Sequence, residues 1–316
     1  MKNFFYCRNA LLFFTLIILL AHNVAQSKSI QITAVVSLTD TGIVKAGATP
    51  RLVSRQFSFT EGPAVDKGGN IFFTDQPNNK IWKYDTEGKL SVFMDNAGRS
   101  NGMYFDGKGN LITCADEHNQ LWSIAPDKKV TVLLKDFRGH LLNGPNDLWI
   151  NSNGNIYFTD PYYQRNYWER KKPDAAIGGQ WLYGITGTQT VPVIMDSMLK
   201  QPNGIVGTPD GKYLYVADMG INKTFRYDIL QDGSLSGKQV FAEQASDGMT
   251  LDEQGNIYLT GQGVTVYNNK AQKIAQINIP EKWTANICFG GTGRNILFIT
   301  ASEAIYTVEM NVKGVE

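Results

Sequence analysis

Six times along the chain, an oxygen-bearing side chain opens an apolar, strand-like run that is followed by a glycine at a fixed distance. The pairs are Glu61 with Gly69, Asn101 with Gly109, Asn146 with Gly154, Asn203 with Gly211, Asp247 with Gly255 and, more loosely, Asn286 with Gly293. Successive starts lie 40, 45, 57, 44 and 39 residues apart. Self-similarity at such a period marks stacked copies of one supersecondary unit. It also puts six oxygen-bearing side chains into one structural slot.

After each slot and its glycine comes a second strand signal, as in Ile71-Phe72-Phe73-Thr74-Asp75 or Ile156-Tyr157-Phe158-Thr159-Asp160. Aromatic and β-branched residues bounded by turn formers read as strands. A third run follows in most units (Lys80 to Asp85, Gln120 to Ile124, Thr224 to Asp228), and then a fourth (Leu90 to Met94, Thr131 to Leu134). Four strands in each of six units describe an all-β fold, a six-bladed β-propeller, in which small sheets pack radially around a channel. The last unit is one strand short at its C-terminal end. The strand-like segment from Pro50 to Phe59 is expected to supply the missing outer strand and close the ring.

Ahead of the repeats, Lys2 and Arg8 precede the apolar or small run Ala10 to Ala21, a pattern that reads as an export signal over residues 1–25. The run is too short to span a bilayer. We therefore expect a signal peptide, an extension over 26–47 and a propeller over 48–316, with the mature protein periplasmic or secreted. Without Lys2 and Arg8, 28 basic residues face 29 acidic ones. That balance, with no long charge run, recommends neither nucleic acid nor an anionic membrane as a partner. Cys114 and Cys288 fall in units two and six, separated by unit one, and are expected to be buried thiols and not a bridge.

If the first strand of each unit lines the channel, its first residue sits at one mouth, and the loops after the second strands surround it. One of these loops, Asp160 to Gln180, is much longer than the rest and carries Tyr162, Tyr163, Tyr167 and Trp168 beside Arg165, Arg170, Lys171 and Lys172. Loops of that length are commonly lids or binding loops. At the mouth, Glu61, Asn146, Asn203 and Asp247 would converge as two carboxylates and two amide oxygens. This hard, all-oxygen set suits Ca²⁺; zinc would favour His or Cys. Any one of the four taken alone reads as a turn or capping residue. A shared register across the repeats is harder to assign to turns, and Glu61 does not fit that role.

The segments Thr60-Glu61-Gly62-Pro63, Ser100-Asn101-Gly102-Met103, Asn143-Gly144-Pro145-Asn146-Asp147, Gln201-Pro202-Asn203-Gly204 and Ser246-Asp247-Gly248-Met249 resemble the senescence marker protein / gluconolactonase / luciferin-regenerating enzyme family of six-bladed propellers. The resemblance runs from about Phe59 to near the C-terminus. It implies a divalent metal, Ca²⁺ or another cation such as Mg²⁺, Mn²⁺ or Zn²⁺, held at Glu61, Asn203 and Asp247, with Asn146 completing the site or holding substrate. It also implies hydrolysis of a lactone, often a sugar lactone. Asp116-Glu117-His118-Asn119 is similar to a loop of bacterial gluconolactonases. Gly139-His140-Leu141 departs from the basic residues expected ahead of the Asn146 motif, which loosens the inference from a gluconolactonase-like sugar lactonase to gluconolactone itself.

In such a hydrolase the metal would polarise the carbonyl and stabilise the developing oxyanion. The resemblance makes Asp247 the candidate for activating water, although a carboxylate on a cation is a weakened base. His118 is the alternative base, its competing assignment being a surface-loop histidine. Asn101 and Asn146 are candidates for orienting substrate oxygens. Arg99 either binds a substrate carboxylate or caps the loop ahead of Asn101. Two other readings stay open: a noncatalytic sugar- or peptide-binding propeller with structural calcium, and a related esterase or phosphotriesterase.

Overall fold

A computed structural model describes residues 42–315 except 171 and 188. The expected signal segment and residues 26–41 of the extension lie outside them. The described residues form six four-stranded antiparallel sheets, the six blades of a β-propeller. From inside outward, blade one is Thr60–Val65, Ile71–Asp75, Lys80–Tyr84 and Leu90–Asp95. Blade two is Met103–Phe105, Leu111–Ala115, Gln120–Ile124 and Val130–Leu134; blade three is Leu148–Ile150, Ile156–Asp160, Trp181–Ile185 and Val193–Asp196. Blade four is Pro202–Gly207, Tyr213–Asp218, Lys223–Ile229 and Leu235–Ala242, and blade five is Met249–Leu251, Ile257–Gly261, Gly263–Tyr267 and Lys273–Ile277.

Blade six combines the two ends of the described chain. Its inner strands are Asn286–Gly290, Ile296–Ala301 and Ala304–Glu309, and its outermost strand is Arg51–Ser54. Arg51 pairs with Thr307 and Leu52 with Tyr306, and a bulge then sets Ser54 opposite Ile305. The segment expected to close the ring therefore does so. Past the outer strand, Phe57 is buried edge-on against Phe73 and Trp82, with centroids 5.2 and 5.4 Å away. This aromatic contact joins the closing segment to blade one.

Burial falls from the axis outward, which explains the composition of each strand. Thr60–Val65 and Ile71–Asp75 are buried throughout, whereas Leu90–Asp95 alternates between half-buried and exposed. The innermost strands pack against one another around a closed circle. Large apolar side chains such as Phe73, Tyr157, Phe158, Tyr258, Phe289 and Phe298 fill the spaces between blades, fully buried. Cys114 in blade two and Cys288 in blade six are buried and form no disulfide.

The periodic glycine has a local cause. In blade one, Asp66 Oδ1 accepts from the Asn70 backbone N–H at 2.9 Å while the Gly69 N–H donates to the Asp66 carbonyl at 3.0 Å. Closing this turn puts Gly69 at φ +91°, where a side chain is strained. Blades two, three and five repeat the pattern at Asp106, Asn151 and Asp252. Blade six departs from the expected register. There Gly291 (φ +77°) and Arg294 (φ +54°) take the left-handed conformation, and Gly293 is not among the positive-φ residues. The reason is the seam: the Gly291 N–H donates to the Gly69 carbonyl of blade one at 3.0 Å.

Candidate functional site

The slot residues begin the inner strands, and the residue after most of them is glycine because neighbouring slots crowd together there. A Cβ on Gly62 would lie 2.0 Å from the Asn101 carbonyl oxygen of blade two, and one on Gly248 would lie 1.9 Å from Asn286 Cγ of blade six. Contacts that close are possible only without a side chain. Backbone bonds between blades hold the crowded arrangement, with the Gly102 N–H donating to the Asn146 carbonyl at 2.7 Å and the Gly204 N–H to the Ser246 carbonyl at 3.3 Å. The oxygen-bearing side chains are thereby brought together at one mouth of the channel.

A cavity of about 220 Å³ opens there, lined by Glu61, Asn146, Asn203 and Asp247 together with Phe59, Tyr163, Arg165, Met219 and Trp283. Glu61, Asn146 and Asn203 are buried, at 3%, 5% and 2% exposure, and Asp247 is half-buried. A larger cavity of about 780 Å³ lies at the opposite ends of the inner strands, among Val65, Phe105, Ile150 and Val206. Asn286, which lines the larger cavity, donates from Nδ2 to Glu61 Oε2 at 3.4 Å. The smaller cavity is the chemical one, because the acidic and amide groups converge on it.

Each of these side chains is held from behind. Glu61 Oε2 also accepts from the Gly62 N–H at 2.9 Å, and Asp247 Oδ2 accepts from the Trp283 indole N–H at 2.6 Å. Asn203 Nδ2 donates to the Tyr163 hydroxyl at 2.9 Å. Asn203 Oδ1, by contrast, is buried without a hydrogen-bond partner among the described residues. Burial, and next to it the charge of Asp247, push the Glu61 carboxyl well above the usual carboxylate range. Asp247 is raised by burial, against the opposing pull of Trp283 and Arg165.

Two neighbouring carboxylates, both raised by burial and Glu61 further raised by the charge of Asp247, and an amide oxygen left without a donor, are the groups a hard cation would satisfy. Among the described residues no three His, Cys, Asp or Glu side chains cluster as metal ligands. The set that fits a metal is two carboxylates and two carboxamides.

The same burial produces a pH dependence. Burial pushes Asp147, just below the site, up to about 8, and Asp160, beneath the long loop, up to about 7. The unfolded chain releases these protons near pH 4. Between those values the folded state binds more protons, so stability falls as pH rises. The metal-free protein is expected to show a lower urea midpoint at pH 8.5 than at pH 5.5, with added Ca²⁺ recovering part of the difference. A midpoint equal or higher at pH 8.5 would contradict this account.

The sequence matches the description "SMP-30/Gluconolactonase/LRE-like region" over residues 59–303. The chain belongs to this family. Among curated members of known name, a gluconolactonase of Zymomonas mobilis is 25% identical over 299 residues, covering 84% of this chain and 83% of that protein. Solved structures with the same propeller fold include two examples. One is a gluconolactonase from Xanthomonas campestris (TM-score 0.79, 24% identity, 87% of this chain and 94% of that one). The other is a calcium-binding protein, regucalcin, from Agrobacterium tumefaciens (TM-score 0.70, 17% identity, 84% and 95%).

Within this SMP-30/gluconolactonase fold the structure brings together all four residues expected to hold metal, and separates the rest. Asn101 starts blade two in register but does not line the cavity. Arg99 turns away from it: its Nε donates to Glu117 Oε1 at 3.2 Å, its Nη1 bonds the Pro77 carbonyl, and Tyr167 and Trp168 cover its guanidinium. His118 is exposed at the end of the Asp116–His118 turn and stacks on Trp122 at 5.0 Å. His140 pairs with Asp174 at 3.0 Å.

Five lining residues were not named as site residues from sequence. Tyr163 and Arg165 stand in the long loop already marked by its aromatic and basic residues, whereas Phe59, Met219 and Trp283 sit in short connections that carry no pattern. The loop is tied across blades one and two, with the Tyr167 hydroxyl on Gln76 Oε1 and Arg170 on Asp116 and on the Asn143 carbonyl.

Proposed function

We propose that the protein is a divalent-metal-dependent hydrolase that opens a lactone, most simply a sugar lactone. The observation carrying this reading is the cavity in which Glu61, Asp247 and the unpartnered Oδ1 of Asn203 meet. The gluconolactonase names of relatives support the reaction class, and a calcium-binding structural neighbour supports the metal. Glu61, Asn203 and Asp247 would hold the cation, with Asn146 as a fourth oxygen or as a substrate contact. Bound there, a divalent cation supplies Lewis acidity to an ester carbonyl and charge stabilisation to its oxyanion.

The chain's own residues do the remaining work. Asp247 is held by the Trp283 indole on Oδ2 and by the Asn203 side chain, which fixes the carboxylate at the cavity, where it would take a proton from the attacking water. Tyr163 accepts from Asn203, so its hydroxyl proton remains free to donate to a substrate oxygen. Burial holds that phenol protonated. Phe59, Met219 and Trp283 wall the cavity, whose 220 Å³ admits a single small ring. The charged and apolar N-terminal pattern supports export, with the mature enzyme periplasmic or secreted.

The test is a pH-stat assay of several neutral and acidic lactones, an aryl ester and a phosphotriester, on chelator-treated protein with Ca²⁺, Mg²⁺, Mn²⁺ or Zn²⁺ added back. The expected result is lactone turnover at least about 10²-fold above the metal-free rate. If Ca²⁺ binds tightly and every lactone stays at background, the hydrolase reading fails.

A further inference from the structure

The geometry points to Arg165 as the residue that selects the substrate: it is placed to receive a carboxylate carried on the lactone, so that the preferred substrate is a small acidic lactone. This inference rests on the hydrolase reading above and sharpens it.

Arg165 lines the cavity from the long loop of blade three, with its side chain only 17% exposed. Its guanidinium lies over the Tyr163 ring, 4.9 Å from the centroid, which fixes its plane. The one carboxylate within ion-pair reach among the described residues is Asp116, at 3.7 Å from Nε. That is beyond hydrogen-bonding distance, and Asp116 is already committed. Its Oδ1 takes the buried Arg170, and its Oδ2 accepts from Gln76 Nε2 at 3.0 Å. Two guanidinium groups thus share one carboxylate, and Arg165 Nε is buried with no partner.

Arginine cannot shed its proton to relieve such a position. The other negative charges on the cavity are Glu61 and Asp247, and neither forms an ion pair with Arg165 among the described residues. A divalent cation held by those two carboxylates would neutralise them and leave one positive charge facing an enclosed space. A buried charge whose one ion pair is long and shared with a second guanidinium is only partly compensated, and the partner that completes the compensation is an anion arriving with the substrate. The planar fork of donors matches a carboxylate in two-point contact. The cavity, at 220 Å³, lies below the usual range of roughly 300 Å³ upward for ligand pockets. The anionic group and the reacting ring therefore belong to one small molecule.

Glucuronate and glucose are suitable probes, since neither contains a bond to hydrolyse and they differ in one carboxylate. Calorimetric titration of the full chain loaded with Ca²⁺ should give glucuronate an affinity at least about tenfold above that of glucose, the scale of one charge-assisted contact. Arg165→Gln should remove most of that preference, and Arg165→Lys should keep part of it, with near-UV dichroism confirming that both variants fold. Equal affinities in the unaltered protein, or a glucuronate affinity unmoved by Arg165→Gln, would overturn the assignment; the second result would place the carboxylate on the metal.

A kinetic arm compares glucaro-1,4-lactone with glucono-1,5-lactone. The ratio of kcat/KM should favour the acidic lactone and collapse in Arg165→Gln through KM. Gluconolactone turnover without acid preference sinks the role of Arg165 and leaves the hydrolase standing. Glucuronate binding that depends on Arg165, with no lactone opened, does the reverse.

Discussion

Asp247→Asn is expected to lower kcat/KM for the best lactone at least about 10³-fold and to weaken Ca²⁺ binding by about tenfold or more. The substitution keeps the size and shape of the side chain, and an amide oxygen can still accept from the Trp283 indole N–H now 2.6 Å from Oδ2. What it removes is one of two negative charges and the only cavity-lining base other than Glu61. Glu61 is the more deeply buried of the two and is turned toward Gly62 and Asn286, so it cannot replace Asp247 beside the substrate. In the metal-free protein, losing Asp247 also relieves the charge that helps raise Glu61. The variant should therefore fold at least as stably as the parent without metal while losing activity. A pH-stat rate beside a Ca²⁺ titration checks both, and a variant retaining more than about a tenth of the parent kcat/KM would remove Asp247 from the reaction.

Gly62→Ala is expected to destabilise the protein by about 3–5 kcal/mol and to abolish tight metal binding, although the glycine touches neither metal nor substrate. Gly62 sits at φ +42°, and an added Cβ would meet the Asn101 carbonyl oxygen at 2.0 Å and its carbon at 2.7 Å. These atoms are backbone, fixed by the bond from the Asn101 N–H to the Cys114 carbonyl at 2.9 Å, so no side chain can swing aside. The only relief is to spread blades one and two, which moves Glu61 away from Asn203 and Asp247. Urea denaturation with and without Ca²⁺ reads both effects. An unfolding free energy within about 0.5 kcal/mol of the parent would show that the ring tolerates spreading.

Much of this was legible in the repeats because the physical constraint recurs in every blade. The turn that needs a left-handed glycine lies a fixed distance from the slot, so Glu61 with Gly69 and Asp247 with Gly255 marked both ends of the inner strands. The same register brought Glu61, Asn146, Asn203 and Asp247 to one cavity. It said nothing about where a side chain in that register points, which is why Asn101 shares the slot but does not line the cavity. In blade six the pattern blurred at Gly293 because the turn there bonds to blade one, a contact between chain positions that no local pattern encodes. Arg99 was a candidate for binding a substrate carboxylate, and that role is not seen because Glu117, the Pro77 carbonyl and the rings of Tyr167 and Trp168, 68 and 69 residues on, occupy its guanidinium. Trp283 left no trace in the sequence, since a single aromatic in a connection looks the same whether it faces solvent or Asp247.

The mixed composition of blade six has a temporal consequence. Arg51–Ser54 can be laid down only against Ala304–Glu309, which begins 250 residues after Ser54. Until they emerge, a nascent chain can assemble single blades but cannot shut the circle, and the slot residues of blades one and six cannot meet. Long-range pairing of this kind is slow to form. The cavity is thus complete only once blade six has closed, and a chain lacking Ala304–Glu309 would leave Arg51–Ser54 without an edge to join.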